Sequence, residues 1–110
     1  MNKENAMTLT MRQGDVGIIV VDKLPDGAKE LPREKGRVVL AHGEVTGHAH
    51  TITSPHATFF EAKDGRRFLE ARNPLVLRHE EHADVRIAPG IYQVRIQREY
   101  TPEAIRNVLD

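Results

Sequence analysis

Short apolar runs, several of them alternating with polar residues, recur along most of this chain between turn residues. The first, Val16 to Val21, is β-branched and apolar on both faces, which is typical of a well-covered strand. The last, Ile91 to Tyr100, alternates strictly, which indicates a sheet with one face in a core and the other in water. Eight segments fit a strand: 16–21, 37–42, 48–53, 57–63, 66–71, 75–78, 85–87 and 91–100.

The residues between these segments favour turns. Asp64-Gly65 separates two of them and predicts a hairpin with a two-residue type I′ turn. We interpret Gln13-Gly14-Asp15 as the turn that leads into the first strand. The spacing of strands and turns predicts an all-β fold, either a small barrel or a sandwich of about seven or eight short antiparallel strands.

The two ends of the chain have a different character. Residues 1–11 are polar and lack a period, which predicts a disordered arm ahead of a single domain over 12–110. Near the other end, Thr101 suits a helix N-cap and Pro102 the first helical position. Apolar residues at 105, 108 and 109 fall on one helical face. We therefore expect one short C-terminal helix over about 102–109, packed on the barrel or on a neighbouring subunit.

Composition narrows the classes of partner. Sixteen basic residues balance sixteen acidic ones, and only five residues are aromatic; neither feature favours nucleic-acid binding. The longest apolar run is far too short to cross a bilayer, so no membrane partner is expected. The absence of cysteine suits a cytoplasmic protein. A net charge near zero gives little protection against self-association, which favours a homo-oligomer.

The histidines carry the candidate chemistry. Four of the six lie in two short clusters, Gly47-His48-Ala49-His50 and His79-Glu80-Glu81-His82. Residues two apart on a strand face the same side, so His48 and His50 are expected to point the same way. If the second cluster continues a strand, His79 shares a face with Glu81; if it forms a helical turn, His79 shares a face with His82.

Imidazole and carboxylate together are typical ligands of transition metals. We therefore predict a divalent-metal site, with zinc, iron, manganese or nickel as the tentative cofactor. Its candidate ligands are His48, His50, His79 and Glu81, with His82 as the main substitute.

Several segments resemble the blocks of a small uncharacterised bacterial family. They are Gly43 to His50 (GEVTGHAH), His79 to Ala83 (HEEHA), Pro89 to Val94 (PGIYQV) and Gln97 to Glu103 (QREYTPE). The resemblance extends from Arg12 to about residue 110. It implies no activity, because none is attached to that family.

Three functions remain open from the sequence. The leading hypothesis is a small oligomeric β-barrel binding or accessory module with a histidine-rich divalent-metal site. The second is an enzyme that uses the metal to activate water or oxygen. A small-molecule ligand is a further candidate partner. The third is a structural module without metal, whose histidines line an interface or contact nucleic acid.

Overall fold

A computed structural model describes residues 10–43 and 45–96. These residues form ten β-strands and no helix. No membrane-spanning helix is therefore found among them. The strands are β1 (Met11–Gln13), β2 (Val16–Val21), β3 (Lys29–Glu30), β4 (Val38–His42), β5 (Ala49–Ile52), β6 (Ala57–Glu61), β7 (Arg67–Ala71), β8 (Leu75–His79), β9 (His82–Ile87) and β10 (Gly90–Ile96). The predicted all-β class is confirmed.

The strands form two antiparallel sheets. One sheet has six strands in the order β1-β2-β10-β7-β6-β3, and the other has four in the order β4-β5-β8-β9. The two sheets pack as a sandwich and do not close into a barrel, so the sandwich is the correct choice between the two predicted forms. Strands that are distant along the chain, such as β2 and β10, are neighbours in a sheet.

Apolar side chains from both sheets fill the space between them. Alternation explains how single strands contribute: Tyr92 and Val94 on β10 are buried, as expected from the strict pattern in that segment. The large side chains that are fully buried in this core are Val16, Ile18, Ile52, Leu69, Leu75, Leu77 and Ile87. Burial of about 25 cal/mol per Å² of apolar surface makes this core the main source of stability.

The described residues contain two more strands than the upper predicted count. The additions include β1 and β3, which have three and two residues and are mostly polar, so no hydrophobic period marks them. The first strand already includes Met11, one residue before the predicted start of the domain. Residues 1–9 of the predicted arm and the whole predicted C-terminal helix lie outside the described residues.

The hairpin predicted between 57–63 and 66–71 is present as β6 and β7, but its turn is longer than expected. Gly65 N–H donates to Ala62 O, and Ala62 N–H donates to Arg66 O. The central turn residues are therefore Lys63 and Asp64, and Gly65 follows them with a φ of 92°. This arrangement is typical of a three-residue hairpin loop with glycine in the left-handed position, so the predicted two-residue type I′ turn is wrong.

Candidate functional site

The two histidine clusters lie at the same end of the four-stranded sheet. His48 directly precedes β5 and His50 lies within it, whereas His79 ends β8 and His82 begins β9. β5 pairs with β8, with Thr51 opposite Arg78. This pairing places residues about thirty positions apart in the sequence side by side.

The four imidazole rings form one group. The ring centres of His50 and His79 are 4.3 Å apart, and those of His79 and His82 are 4.7 Å apart. His48 is 5.7 Å from His79, and His50 is 6.0 Å from His82. We name these four side chains, with Glu80, the histidine cluster.

The second sequence cluster adopts neither of the two conformations considered for it. His79 and His82 pair across β8 and β9, and Glu80 and Glu81 form the two-residue turn between them. Paired residues on adjacent strands point to the same face, which explains why both imidazoles join the group. Neither glutamate has a positive φ, so the turn does not need the glycine or asparagine that usually marks a hairpin.

Three side chains place possible ligand atoms close together. One atom each from His48, His79 and Glu80 lies within 4.8 Å of the others. The predicted carboxylate was Glu81, whose Oε2 lies 3.5 Å from His48 Nδ1 at the exposed edge of the cluster. Glu80 thus replaces Glu81 in this compact donor group, because the chain turns at these residues and strand alternation does not apply to them.

His48 has an unusual nitrogen. Its Nδ1 is buried and makes no hydrogen bond to any of the described residues. The Glu81 carboxylate lies near this atom but does not form a hydrogen bond with it. A buried polar atom without a partner is rare and costly, and a ligand atom of a metal site is one physical explanation for it.

Glu80 is held by the neighbouring strand. Its Oε1 accepts a hydrogen bond of 3.0 Å from the backbone N–H of Ala49. This bond is the largest cause that lowers the pKa of the Glu80 carboxyl, and His48 and His79 contribute less. The carboxyl is therefore ionised near neutral pH and presents negative charge to the imidazoles.

His50 is the most buried member of the cluster, with 3% of its surface exposed. Its Nδ1 lies 2.8 Å from Gln13 Oε1, and its Nε2 lies 3.7 Å from Asp15 Oδ1. Burial is the largest cause that lowers the pKa of His50 to about 4, with a further contribution from His79. His50 is consequently neutral at physiological pH, and its contact with Asp15 is not an ion pair there.

The hairpin turn between β1 and β2 forms a further side of the cluster. Gln13 and Asp15 both face His50, and Gly14 lies against His82. A methyl group at Gly14 would come within 2.6 Å of His82 Nε2, and Gly14 has a φ of 59°. The sequence predicts only a turn at these residues. Polar residues beside a glycine are common in turns, so nothing in the sequence indicates that they contact histidines more than thirty residues away.

Comparison with known proteins gives a family but no function. No curated protein and no solved structure matches this chain significantly. Residues 12–97 match the sequence profile of a family described as a domain of unknown function, DUF8820. This range includes the histidine cluster together with Gln13, Gly14 and Asp15. Since the match covers most of the chain, this protein belongs to the DUF8820 family.

Proposed function

We propose that this domain binds one divalent transition-metal ion at the histidine cluster. His48, His79 and Glu80 are the ligands at its centre, and His50 is adjacent to them. The observation that carries the proposal is the approach of three ligand atoms from two separate segments to within 4.8 Å of one another. The protein then acts as a small binding or accessory module, as the histidine pattern predicts.

The distances support binding after a small side-chain adjustment. Bonds of about 2.0–2.2 Å to imidazole and carboxylate separate neighbouring ligand atoms by roughly 3.3 Å in a tetrahedral site. The donor atoms therefore need to approach by about 1.5 Å at most, which rotation of side chains at the cluster's accessible edge provides. Both His48 and His79 are only partly buried, and Glu80 is exposed.

The donor types support a particular class of ion. Imidazole nitrogen suits zinc, iron, nickel and copper, whereas magnesium and calcium prefer sites made entirely of oxygen. Two imidazoles and one carboxylate therefore favour a transition metal. The buried Nδ1 of His48 has no hydrogen-bond partner among the described residues, which supports the same conclusion because imidazole is the commonest metal ligand.

The test uses the full chain, purified without a histidine tag and freed of metal with a chelator. Zinc binding is measured by calorimetry, and metal content by elemental analysis after incubation with zinc, manganese, nickel and iron. We expect one ion per chain and a loss of affinity of more than about tenfold in His79→Ala. Removal of a mere supporting partner already costs about 10–100-fold in metal affinity.

His56→Ala is the matched control. This histidine is exposed, and within the described part of the chain its hydrogen bonds are made by its backbone N–H to Ser54 and by its carbonyl oxygen with Arg72. The control is expected to bind zinc like the unaltered chain. Substoichiometric metal with all four ions, or equal affinity in both variants, would overturn the proposal.

The number of close donors also favours a second candidate, a metal-dependent enzyme. Structural zinc sites have four protein ligands, whereas catalytic sites have three and keep a position for water or substrate. His48, His79 and Glu80 make a three-donor group. The zinc-loaded and manganese-loaded protein should then hydrolyse activated carboxylate or phosphate esters, and His79→Ala should not. Binding without turnover leaves the accessory module as the function.

A further inference from the structure

Both the nitrogen and the oxygen of the buried Gln13 side-chain amide make hydrogen bonds. Gln13 is 2% exposed. Its Nε2 donates to the backbone oxygens of Leu77 and Ala83, at 2.9 Å in each case, and its Oε1 lies 2.8 Å from His50 Nδ1. The side chain thus joins β1 to β8, to β9 and to β5.

These partners determine the orientation of the amide. A carbonyl oxygen only accepts hydrogen bonds, so the two backbone oxygens require the NH₂ end of Gln13. The amide oxygen is then the group that faces His50. Because this oxygen also only accepts, His50 Nδ1 must carry the proton and donate it.

The tautomer of His50 follows directly. A neutral imidazole has one protonated nitrogen, so proton occupancy of Nδ1 leaves a lone pair on Nε2. His79 shows the opposite arrangement, since its Nδ1 accepts a 3.0 Å hydrogen bond from the backbone N–H of Glu81. The proton of neutral His79 is therefore on Nε2. Two rings with centres 4.3 Å apart carry opposite tautomers.

We propose that Gln13 is a positioning residue for the metal site, because it fixes His50 as the Nδ1–H tautomer and presents Nε2 as a ready ligand. This inference rests on the proposed function. Metal-bound histidines almost always donate their second N–H to a fixed acceptor, which sets the tautomer and the ring orientation. Gln13 supplies such an acceptor before any ion arrives, and His50 becomes a fourth ligand, which favours the binding module over the enzyme.

Once the tautomer is fixed, the surroundings of His50 Nε2 favour a cation at this atom. Asp15 Oδ1 lies 3.7 Å from Nε2, which is too far for a hydrogen bond. A carboxylate oxygen that faces an imidazole lone pair is repelled unless positive charge lies between the two atoms. Their separation is close to the roughly 3.3 Å expected for two ligands of one tetrahedral ion. Asp15 therefore favours a cation next to His50.

His79 differs from His50 in its readiness to bind. An ion on Nδ1 of His79 replaces the hydrogen bond from Glu81, and an ion on Nε2 requires its proton to move to Nδ1, where it meets the same N–H. Binding through His79 therefore disrupts an existing contact, whereas binding through His50 Nε2 preserves the hydrogen bond from His50 Nδ1 to Gln13 Oε1. His50 can therefore bind an ion without losing a hydrogen bond, whereas His79 must first lose its hydrogen bond from Glu81.

The experiment reads the tautomer directly in the full chain. Nitrogen-15 NMR of imidazole distinguishes protonated from unprotonated ring nitrogens, and it is recorded first on metal-free protein. We expect a protonated Nδ1 and an unprotonated Nε2 in His50, with the reverse in His79. A protonated Nε2 in metal-free His50 near neutral pH would overturn the inference, even if no variant folded.

Variants of Gln13 then connect the tautomer to binding. Gln13→Met keeps the length but removes the acceptor, so His50 should lose its fixed tautomer and zinc affinity should fall by about 10–100-fold. Gln13→Glu keeps an acceptor oxygen at Nδ1. It should retain the tautomer despite lower stability, because its second oxygen faces the oxygens of Leu77 and Ala83.

Val94→Ala is the control for stability alone. It removes apolar packing in the core from β10, a strand of the six-stranded sheet that carries none of the clustered histidines. It should leave both the tautomer and zinc affinity unchanged. If the unaltered chain binds zinc and Gln13→Met changes neither readout, the role of Gln13 is overturned and the proposed function stands. If the unaltered chain shows the expected tautomers but binds no zinc, the proposed function is overturned together with the role of Gln13 in binding.

Discussion

Single histidines at this site differ greatly in their surroundings, although the sequence presents them as equivalent. His50 is buried between Gln13 and the other imidazoles, whereas His82 is exposed at the edge. Because burial disfavours the charged imidazole, the pKa of His50 falls to about 4. The proton balance of this one side chain therefore affects the stability of the whole domain.

We predict that the metal-free domain loses stability as the pH falls below neutrality. In the unfolded chain, His50 binds a proton near pH 6.5, whereas the folded pKa is about 4. Between these values the unfolded state holds the additional proton, so the free energy of unfolding decreases as the pH is lowered. The loss from pH 7 to pH 5 is about 2 kcal/mol for this residue.

Urea unfolding at the two pH values, with a chelator present, measures this loss. His50→Gln is the comparison, because glutamine is polar and does not titrate. The free energy of unfolding of the unaltered chain, relative to that of the variant, should fall by about 2 kcal/mol from pH 7 to pH 5. A difference that is independent of pH would contradict the prediction.

The sequence predicted the histidines of the cluster better than their polar partners. His48, His50, His79 and His82 were recognisable because imidazole in clusters is chemically distinctive. Glu80 could not be distinguished from Glu81, because the choice depends on where β8 turns into β9. Gln13 could not be recognised at all, since a glutamine ahead of a turn has no signature of its contacts with strands far along the chain.

At the level of elements, hairpin turns decide what reaches the cluster. The turn between β8 and β9 brings in two imidazoles and a carboxylate. The turn between β1 and β2 places Gly14 against His82, where a side chain would collide with the ring. The backbone conformation of the second turn can therefore be tested separately from its contact with the cluster.

We predict that Gly14→Ala destabilises the domain by about 1–2 kcal/mol and also displaces the His82 ring. The first effect comes from the left-handed φ of 59°, and the second from the 2.6 Å approach to His82 Nε2. Thermal unfolding measures the first effect. The imidazole resonances of His82 report the second.

Gly36→Ala separates the two effects. Gly36 also has a left-handed φ, of 81°, but a methyl group there meets nothing within 4 Å. This control should lose similar stability and leave the His82 resonances unchanged. Equal displacement of the His82 signals by both substitutions would count against the close contact at Gly14.

Strands with clear hydrophobic patterns were predictable, and turns were less so. Segments such as 16–21 and 75–78 carry enough apolar residues for burial to determine their conformation. The turn at Glu80 and Glu81 lacks glycine and asparagine, so no local signal marks it. The Asp64-Gly65 pair marks a hairpin correctly, but the same pair suits more than one loop length, and the loop that forms has glycine after its central residues.

For the molecule as a whole, the site depends on contacts between strands that are distant in sequence. The sandwich brings β1, β5, β8 and β9 to one end, and each contributes to the histidine cluster or to its support. The all-β class follows from the pattern of the chain, whereas the order of strands in the sheets does not. The predicted homo-oligomer stays a prediction.

We predict that zinc raises the melting temperature of the unaltered domain by about 10 °C or more at a free concentration 100 times its Kd. Binding to the folded state alone adds about 2.7 kcal/mol at that concentration, and each kcal/mol shifts the midpoint by about 4–8 °C in a domain of this size. Calorimetric scans with and without zinc measure the change.

Matched scans on His79→Ala provide the reference. Its melting temperature should rise much less at the same zinc concentration, while His56→Ala should respond like the unaltered chain. A similar rise in all three proteins would mean that zinc acts away from the histidine cluster.

The short first strand has a practical consequence for anyone who trims this domain. Thr10 donates its N–H to Ile18 O, and its hydroxyl accepts from Val20 N–H, so it fastens the strand that carries Gln13. A fragment that begins at Arg12, where the family match begins, retains Gln13 but loses both hydrogen bonds of Thr10. Expression designs should therefore start at or before residue 10, because a start at Arg12 would weaken the support of Gln13, whose partner His50 lies 37 positions further along the chain.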